Sequence, residues 1–446
     1  MRNAAIDICT EFGREIKVMA SNFKTASNTA AIAISSVFLY GAAVHADPVA
    51  DFYKGKQLTI YVGYSVGGGY DGYARVLGHY MGRHIPGKPA FVVKNRPGAG
   101  SLVLTNEIYN SHPKDGTTFS TIGRGILMEP MFGNKKAKFD PTGFTWVGSM
   151  NNEVSICASW HTSKIKTIDD MFNTKFIVGG TGPGADTDVF PLVFNNVLGA
   201  KMKLVTGYPG GNDINFAMER GELDGRCGWS WSSVKSTRPG WLKNKKINVL
   251  VQMSTAKHPE LPNMPFVMDY AKTDKDRKIL EIIYGRQVWG RPFIAPPGIP
   301  ADRAKALQTA FMATMKDPAF LAEAKRLKME IAPVDGPTIA KMIQALAATP
   351  PELMHQAAQA TSNTRHTQLS KAVIPIETLA GIIAKIKGGG RSITFTGDGK
   401  KQKVKVSGSK TEITLAGAKA KRKILKVGMK CTLTYQGSAA KKIACN

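Results

Sequence analysis

The sequence predicts two α/β lobes followed by a small all-β module. Three observations support this fold class. Strand, glycine-loop and helix patterns follow one another from residue 57, and the same order starts again after about residue 160. Two long helical patterns follow residue 300. Beyond residue 390, apolar and polar residues alternate in five short runs, as in strands with one buried face.

The first 46 residues have the pattern of a secretory signal peptide. Lys24 precedes an apolar run from Ala30 to Val44, and a small-x-small triplet ends at Ala46. The run has 15 residues, too few to span a bilayer comfortably. We therefore expect an exported protein whose leader is removed near Ala46. Both Met1 and Met19 fit as the start of the leader.

The body of the chain alternates strands and helices. In the first lobe we predict strands at 57–64, 90–94 and 118–122, with helices at 73–81 and 102–110. In the second lobe we predict strands at 175–179 and 202–206, with helices at 186–198 and 213–220. This order predicts parallel sheets with helices on both faces.

A strand at 291–295 and helices at 300–315 and 318–328 are predicted to return to the first lobe. The chain would then cross between the lobes twice, which predicts a hinge. The expected domains are the signal peptide at 1–46, lobe 1 at 47–153 with 290–360, lobe 2 at 154–289, a linker at 361–390 and a basic β module at 391–446.

The C-terminal region differs from the body in pattern and charge. A helix is predicted at 374–387, followed by a flexible glycine joint at 388–390. The five predicted strands contain the apolar pairs or triplets beginning at 393, 404, 413, 431 and 443. Cys431 and Cys445 fall in phase with the inward residues, which predicts a disulfide between them. Whether Cys157 and Cys227 are bonded stays open.

Positive charge is concentrated in the C-terminal region. The whole chain has a formal net charge of +27, and residues 361–446 contain 18 Lys and Arg against 3 Asp and Glu. Lipid headgroups or other anionic envelope surfaces are candidate partners for this basic region. It has no aromatic stacking pair in a ribonucleoprotein motif, so we expect no nucleic acid. No histidine and cysteine cluster is present, and we expect neither a metal nor a cofactor.

The stretch at 60–81, "IYVGYSVGGGYDGYARVLGHYM", fits three kinds of site. Residues 63–67 match the G-x-S-x-G elbow of a serine hydrolase, with Ser65 as nucleophile. Residues 67–72 match G-x-G-x-x-G, but basic residues stand where a dinucleotide site needs an acid. The third interpretation is a strand, a glycine turn and a helix N-terminus that holds an anion.

The anion site is favoured because the second lobe repeats the device. Glycine loops occur at 181–187 and 208–211, and each precedes a predicted helix. Two lobes that present such loops to one cleft indicate a solute-binding clamp. Asp71 is predicted either to cap its helix or to accept a ligand hydroxyl or amine.

The chain resembles the receptor proteins of tripartite tricarboxylate transporters, the TctC or Bug type. The segments "YSVGGGYDGYARVLGHYM", "VVKNRPGAGS" and "HPKDGTTFSTIG" are similar to that family's first-lobe motifs. "GGTGPGAD", "YPGGNDINFAMERGELDG" and "FIAPPGIP" are similar to its second-lobe loops and return strand. The resemblance covers about residues 54–355. It implies a type II periplasmic-binding-protein clamp that captures a small carboxylate in the periplasm and delivers it to permease subunits. We expect a monomer that is not an enzyme.

The resemblance also implies the ligand-binding residues. By position they are Tyr64, Ser65, Val66, Gly67, Gly68, Gly69, Asp71, Gly98, Ala99, Gly100, Ser101, Thr181, Gly182, Pro183, Gly184, Ala185, Asp186, Thr187, Tyr208, Pro209, Gly210 and Asp213. Arg124 and Arg226 are two further candidates, each able to pair with a second carboxylate of the ligand.

This chain departs from the family motifs at Tyr70, where a small residue is usual, and at Ser101. The bulk of Tyr70 and Trp229 leaves tricarboxylate, dicarboxylate and aromatic carboxylate ligands open. Two alternative functions remain: an exported carboxylesterase using Ser65, and an envelope-binding protein acting through the basic tail.

Overall fold

A computed structural model describes residues 47–363 and 368–446. The predicted signal peptide therefore lies outside the described residues. Asp47 caps the first helix, since its carboxylate accepts the N–H groups of Val49 and Ala50. Among the described residues, no helix combines the length and the apolar character needed to cross a bilayer.

The described residues form thirteen α-helices. In chain order they are α1 Pro48–Tyr53, α2 Gly69–Tyr80, α3 Leu102–Asn110, α4 Ile168–Asn173, α5 Asp186–Val193, α6 Gly211–Glu219, α7 Trp231–Thr237, α8 Pro239–Lys243, α9 Asp274–Gly285, α10 Ala301–Thr314, α11 Pro318–Arg326, α12 Gly336–Ala347 and α13 Pro351–Ala360. A turn of π-helix, Phe194–Leu198, continues α5.

The strands fall into three sheets. In chain order they are β1 Gln57–Val62, β2 Ala90–Asn95, β3 Thr118–Thr121, β4 Thr145–Ser149, β5 Ser155–Trp160, β6 Phe176–Gly179, β7 Met202–Thr206, β8 Gly225–Ser230, β9 Ile247–Met253, β10 Pro292–Ala295, β11 Val334–Asp335, β12 Gln368–Lys371, β13 Ile376–Lys387, β14 Ser392–Gly397, β15 Lys400–Lys405, β16 Glu412–Leu415, β17 Ala418–Lys419, β18 Lys430–Gln436 and β19 Ala439–Cys445.

Lobe 1 is built on a six-stranded sheet of order β11-β4-β10-β3-β1-β2. Strand β1 is parallel to β2 and β3, but β10 is antiparallel to both β3 and β4. The prediction of a wholly parallel sheet is therefore wrong for the returning half of the lobe. Leu58, Ile60 and Val62 alternate inward on β1 and are fully buried against α2 and α10.

Lobe 2 is built on a second six-stranded sheet of order β12-β7-β6-β8-β5-β9. Here too the sheet is mixed, since β5 is antiparallel to β8 and β9. Helix α13 packs on lobe 2, because Ala357 and Ala360 lie in one core with Ile279 and Ile283 of α9. This corrects the predicted domain limits, which gave residues up to 360 to lobe 1.

Within the described residues the chain crosses between the lobes three times, between β4 and β5, between α9 and β10, and between α12 and α13. The first two crossings are hydrogen-bonded to each other. Met150 N–H donates to the carbonyl of Arg291 at 3.2 Å, and Glu153 N–H donates to that of Gln287 at 2.9 Å. Paired crossing segments of this kind make a hinge.

The C-terminal module is a seven-stranded sheet of order β15-β14-β13-β18-β19-β16-β17, with β15 also pairing with β19. All five predicted strands are present, and their inward residues form one core. The helix predicted at 374–387 is wrong, because β13 lies there, paired with β14 and β18. The glycines at 388–390 form the turn between β13 and β14 rather than a joint.

Both cysteine pairs of the described chain are bonded. Cys431 and Cys445 are directly opposite each other on β18 and β19 and form a disulfide. Cys157 on β5 and Cys227 on β8 form the second one.

Candidate ligand-binding site

The two lobes enclose a cavity of about 50 Å³, room for a few water molecules. It lies outside the carboxyl ends of β1 and β3 in lobe 1 and of β6, β7 and β8 in lobe 2, the usual position for ligands in α/β folds. Its wall consists of Tyr64, Gly67, Gly68, Gly69, Tyr70, Gly123, Arg124, Thr181, Ala185, Asp186, Thr187, Gly211, Asn212, Asn215, Arg226, Gly228, Trp229, Ser230, Ser233, Thr237 and Arg291.

Three helix N-termini converge on this cavity. Helix α2 begins at Gly69, α5 at Asp186 and α6 at Gly211, and each of these residues lines the wall. The first N–H groups of a helix have no partner within the helix, and the helix dipole is positive at that end. Each lobe therefore presents at least one helix N-terminus that favours an anionic group in the cavity.

Arg124 carries a charge that the protein already balances. Its Nε lies 3.0 Å from Asp186 Oδ2 of the other lobe, and both side chains are buried. Its other nitrogens donate to Gln287 and Ser230. Burial alone lowers the pKa of Arg124, but Tyr70 and Asp186 raise it above its ordinary value. Arg124 therefore stays charged and holds the lobes together.

Arg291 is balanced in the same way. Its Nη2 lies 3.0 Å from Glu153 Oε2, and both side chains are almost wholly buried in the hinge. The same nitrogen donates to the hydroxyls of Ser232 and Ser233. Although burial by itself raises the pKa of Glu153, the neighbouring Arg291 and Arg124 bring it below its ordinary value.

Arg226 is the arginine of the cavity wall that has no ion pair among the described residues. Its Nη1 donates to the carbonyl of Gly211 and to Asn215 Oδ1, and its guanidinium lies 4.9 Å from the ring centre of Trp229. Its Nε has no hydrogen-bond partner. Burial, together with the charges of Arg238 and Arg291, lowers the pKa of Arg226. No carboxylate of the described residues balances the positive charge of Arg226.

Asp71 supports the glycine loop rather than facing the cavity. Its carboxylate accepts Gly67 N–H at 3.0 Å, two nitrogens of Arg75, and Asn95 Nδ2 at 2.7 Å. Burial by itself raises the pKa of Asp71, but these partners, led by Arg75, lower it below its ordinary value. The prediction that Asp71 caps α2 is wrong, because Gly68 stands at the N-cap without a side-chain cap hydrogen bond and Asp71 instead holds the loop before it through Gly67.

Ser65 lies at the contact between the lobes. Its hydroxyl donates to Asp213 Oδ2 at 2.5 Å, and its N–H donates to the carbonyl of Pro209 at 3.0 Å. Both partners belong to lobe 2. The hydroxyl is bonded to a carboxylate and not to an imidazole, so the contacts of Ser65 do not support the esterase interpretation.

The loop at 98–101 is also an interlobe contact. Gly100 N–H donates to the carbonyl of Thr181 at 2.9 Å, and Gly182 lies directly against Ala99 and Gly100. Gly182 has a φ of +138°, and a Cβ there would be 2.5 Å from Gly100 N. This close backbone approach explains why glycine stands on both sides of the contact.

Asp188 stabilises the second-lobe loop at 181–187 by hydrogen bonding. Its carboxylate accepts Gly182 N–H at 2.8 Å and the hydroxyl of Thr206. Burial raises the pKa of Asp188 to about 6, even though these hydrogen bonds lower it. Asp188 is not among the predicted site residues, because a lone acid inside a helix has no distinguishing sequence pattern.

The predicted site residues divide into two groups in the structure. Ten of them line the cavity: Tyr64, Gly67, Gly68, Gly69, Arg124, Thr181, Ala185, Asp186, Thr187 and Arg226. The others lie behind the wall or at the interlobe contact: Ser65, Val66, Asp71, Gly98, Ala99, Gly100, Ser101, Gly182, Pro183, Gly184, Tyr208, Pro209, Gly210 and Asp213.

Several wall residues were not among the predicted site residues. Arg291 and Ser233 come from the second crossing segment and from α7, and nothing in the local sequence indicates that they reach the cavity. Asn212 and Asn215 are the second and fifth residues of α6, so a prediction that this helix starts at the cleft also points to them.

One acidic cluster stands apart from the cavity. His258, Glu260 and Glu330 lie close enough together to suggest a cation site. Lys235 Nζ occupies the centre, 2.7 Å from Glu260 and 2.5 Å from Glu330. Lys235 bridges the two carboxylates, and the cluster is a salt-bridge network.

Comparison with known proteins places the fold. No family model and no curated protein matches the sequence. Among solved structures, the periplasmic binding protein BugD aligns with a TM-score of 0.57 at 18% identity, over 68% of this chain and 98% of its own. MatC from Rhodopseudomonas palustris, solved with bound malate, aligns with a TM-score of 0.53 at 16% identity, over 69% and 99%.

A third solved structure, an R. palustris protein with adipate, aligns with a TM-score of 0.53 at 17% identity, over 68% of this chain and 97% of its own. The aligned share is about two thirds of this chain in each case, and almost the whole of each solved structure. The chain has the two-lobed fold of periplasmic binding proteins, extended by a C-terminal β module.

Proposed function

We propose that the protein is a periplasmic receptor that closes its two lobes on a small organic carboxylate. It would then present the carboxylate to the permease subunits of a tripartite tricarboxylate-type transporter. In this role it is a non-enzymatic, monomeric binding protein that needs no cofactor. The observation that carries the proposal is the charge balance of the cavity wall.

The wall has a positive charge that the protein does not neutralise. Arg124 is paired with Asp186 and Arg291 with Glu153, but Arg226 has no acid partner among the described residues. A carboxylate next to Arg226 would supply the missing charge, and a guanidinium can hold it through two parallel hydrogen bonds. The site thus favours Arg226 over Arg124 as the ligand's partner.

The three helix N-termini provide a second place for negative charge. One carboxylate at Arg226 and another at the start of α2 or α5 would suit a dicarboxylate. Aligned structures support this class, since MatC was solved with malate and the R. palustris protein with adipate. The bulky side chains of Tyr70 and Trp229 line the cavity, which favours a short or flat ligand.

The proposal is tested by screening mono-, di- and tricarboxylates for thermal stabilisation, followed by calorimetry on the best ligand. The Arg226→Gln variant should bind that ligand about tenfold to a hundredfold more weakly, because a hydrogen bond to a charged group contributes roughly 1.5–3 kcal/mol.

The matched control is Arg220→Gln. Arg220 is a surface arginine that pairs with Glu222 outside the cavity. This variant should bind with unchanged affinity. If Arg226→Gln also binds with unchanged affinity while folding normally, the proposed role of Arg226 is wrong. If no carboxylate stabilises the protein, the receptor function itself fails.

A further inference from the structure

A second concave site lies outside the cleft, between lobe 1 and the C-terminal module. We name it the basic groove. Strand β2 and helix α2 form one side, and strands β14, β15 and β19 contribute to the other. Its volume is about 1160 Å³, far larger than the cavity between the lobes. It shares no lining residue with the cavity between the lobes.

The groove has a strong excess of positive charge. Nine lysine and arginine side chains line it, and its lining contains no Asp or Glu. Arg75 is paired with Asp71 at 2.7 Å. The other eight have no ion pair among the described residues. They come from both sides, with Lys94 from lobe 1 and Arg391, Lys403 and Lys441 from the module.

The ammonium group of Lys405 is held in a fixed position between the module and lobe 1. Lys405 is half-buried, and its Nζ donates to Asn95 Oδ1 of lobe 1 at 2.8 Å. Burial and the charge of Arg75 lower the pKa of Lys405 to about 8, although Asp71 and Asp213 oppose the shift. The module therefore brings a partly desolvated cation against lobe 1, and the acids behind it do not neutralise it fully.

Part of the lining is apolar, and we call these residues the floor of the groove. Val406 and Ala440 are buried in the module core, and Phe91 and Val93 are half-buried on the edge strand β2. Seven of the nine lysine and arginine side chains are exposed, and we call these seven the rim of the groove. A simple phosphate would use the rim and leave the floor without a partner. A ligand that has an anionic head and an apolar chain matches both parts.

We propose that the basic groove binds an anionic phospholipid, with its phosphate among the rim lysines and an acyl chain along the apolar floor. The positive charges of the rim favour an anionic headgroup, and the apolar floor favours an acyl chain. This site is separate from the carboxylate cleft and does not depend on the function proposed for it. Lipid bound in the groove would hold the protein close to a membrane surface.

The test uses dihexanoyl phosphatidic acid below its micelle concentration, with binding to the full chain measured by calorimetry. Dihexanoyl phosphatidylcholine and glycerol phosphate serve as comparison ligands. We expect phosphatidic acid to bind, and both comparison ligands to bind at least tenfold more weakly. Equal binding of glycerol phosphate would overturn the role of the floor, and equal binding of phosphatidylcholine would overturn the role of the rim charges.

Charge-reversal variants locate the site. Lys403→Glu combined with Lys441→Glu should weaken phosphatidic acid binding by about tenfold or more, because each cation near an anionic lipid contributes to the attraction. Lys385→Glu combined with Lys426→Glu changes the net charge equally, but these exposed residues lie outside the groove.

The control pair should therefore bind the lipid as the parent does. Melting curves establish that both double variants are folded. If the two double variants lose the same affinity, the attraction is only a matter of net charge, and the groove is not the site. Arg226→Gln should bind phosphatidic acid normally, which separates this proposal from the carboxylate site.

Discussion

Arg124 of lobe 1 and Asp186 of lobe 2 form a buried ion pair across the cleft, with 3.0 Å between Nε and Oδ2. The pair joins the lobes at the wall of the proposed ligand site. Asp186 also lies 3.8 Å from Arg286, so its single carboxylate faces two buried guanidinium groups. Closing of the lobes and the charge balance of the site are therefore linked.

The first prediction concerns this carboxylate. Asp186→Ala should lower the free energy of unfolding by roughly 3 kcal/mol, because it leaves two buried cations without their partner. Urea denaturation measures the change. Asp274→Ala is the matched control, since Asp274 is also the first residue of a helix but is exposed. Equal losses in both variants would mean that the ion pair does not stabilise the closed lobes.

The second prediction concerns the contact of the two glycine loops. Gly182→Ala should hinder closure, because its Cβ would meet the backbone at Gly100. We expect weaker ligand binding and a larger radius of gyration by small-angle scattering with ligand present. Gly199 also has a positive φ, +82°, so alanine is strained there too, but no atom lies within 4 Å of the new Cβ in Gly199→Ala. That variant should lose some stability and still close.

The third prediction is a pH dependence. The pKa of Asp188 is about 6 in the fold against an ordinary value of 3.8, so folding favours its protonated form. Its stabilising contribution is complete below about pH 4 and is lost as the pH rises through 6. The loss amounts to roughly 3 kcal/mol.

Asp188→Asn removes this titration. Unfolding free energies measured between pH 4 and pH 7 should therefore fall more steeply for the parent than for the variant. Parallel curves for the two proteins would contradict the raised pKa of Asp188.

The fourth prediction concerns the disulfide of the module. Replacing Cys431 and Cys445 by serine should destabilise the module by about 3 kcal/mol, the chain-entropy value for a loop of this length. Serine replacements are preferable to a reductant, because a reductant would also attack the bond between Cys157 and Cys227. The melting of the module is the measurement. A double variant that melts with the parent would show that the bond adds nothing.

The strands of the module illustrate where sequence patterns succeed. Alternation of apolar residues, as in Leu433 and Tyr435 of β18, identified all five predicted strands and placed Cys431 on the inward face. The residues at 374–387 show where such a pattern fails. Leu379 and Ile383 are four apart, so they share a face in a helix and equally in a strand. Pairing with β14 and β18 decides between the two.

The candidate site shows the same division. The glycine loops and the approximate helix starts follow from local pattern, because turn chemistry and capping act over a few residues. The helices predicted from 73, 186 and 213 begin at Gly69, Asp186 and Gly211. The charge balance does not. Arg124 and Arg226 are equivalent candidates in the sequence. Only the tertiary structure shows that Arg124 forms an ion pair with Asp186 and that Arg226 does not.

The sequence by itself determined the two α/β lobes, the strands of the terminal module and the loops that meet at the cleft. Periodicity and glycine placement are local properties, so they can be read along the chain. The tertiary structure decided which arginine lacks an acid partner, where α13 packs, and how the module forms a basic groove against lobe 1. These depend on contacts between residues far apart in the chain, and no local pattern specifies such contacts.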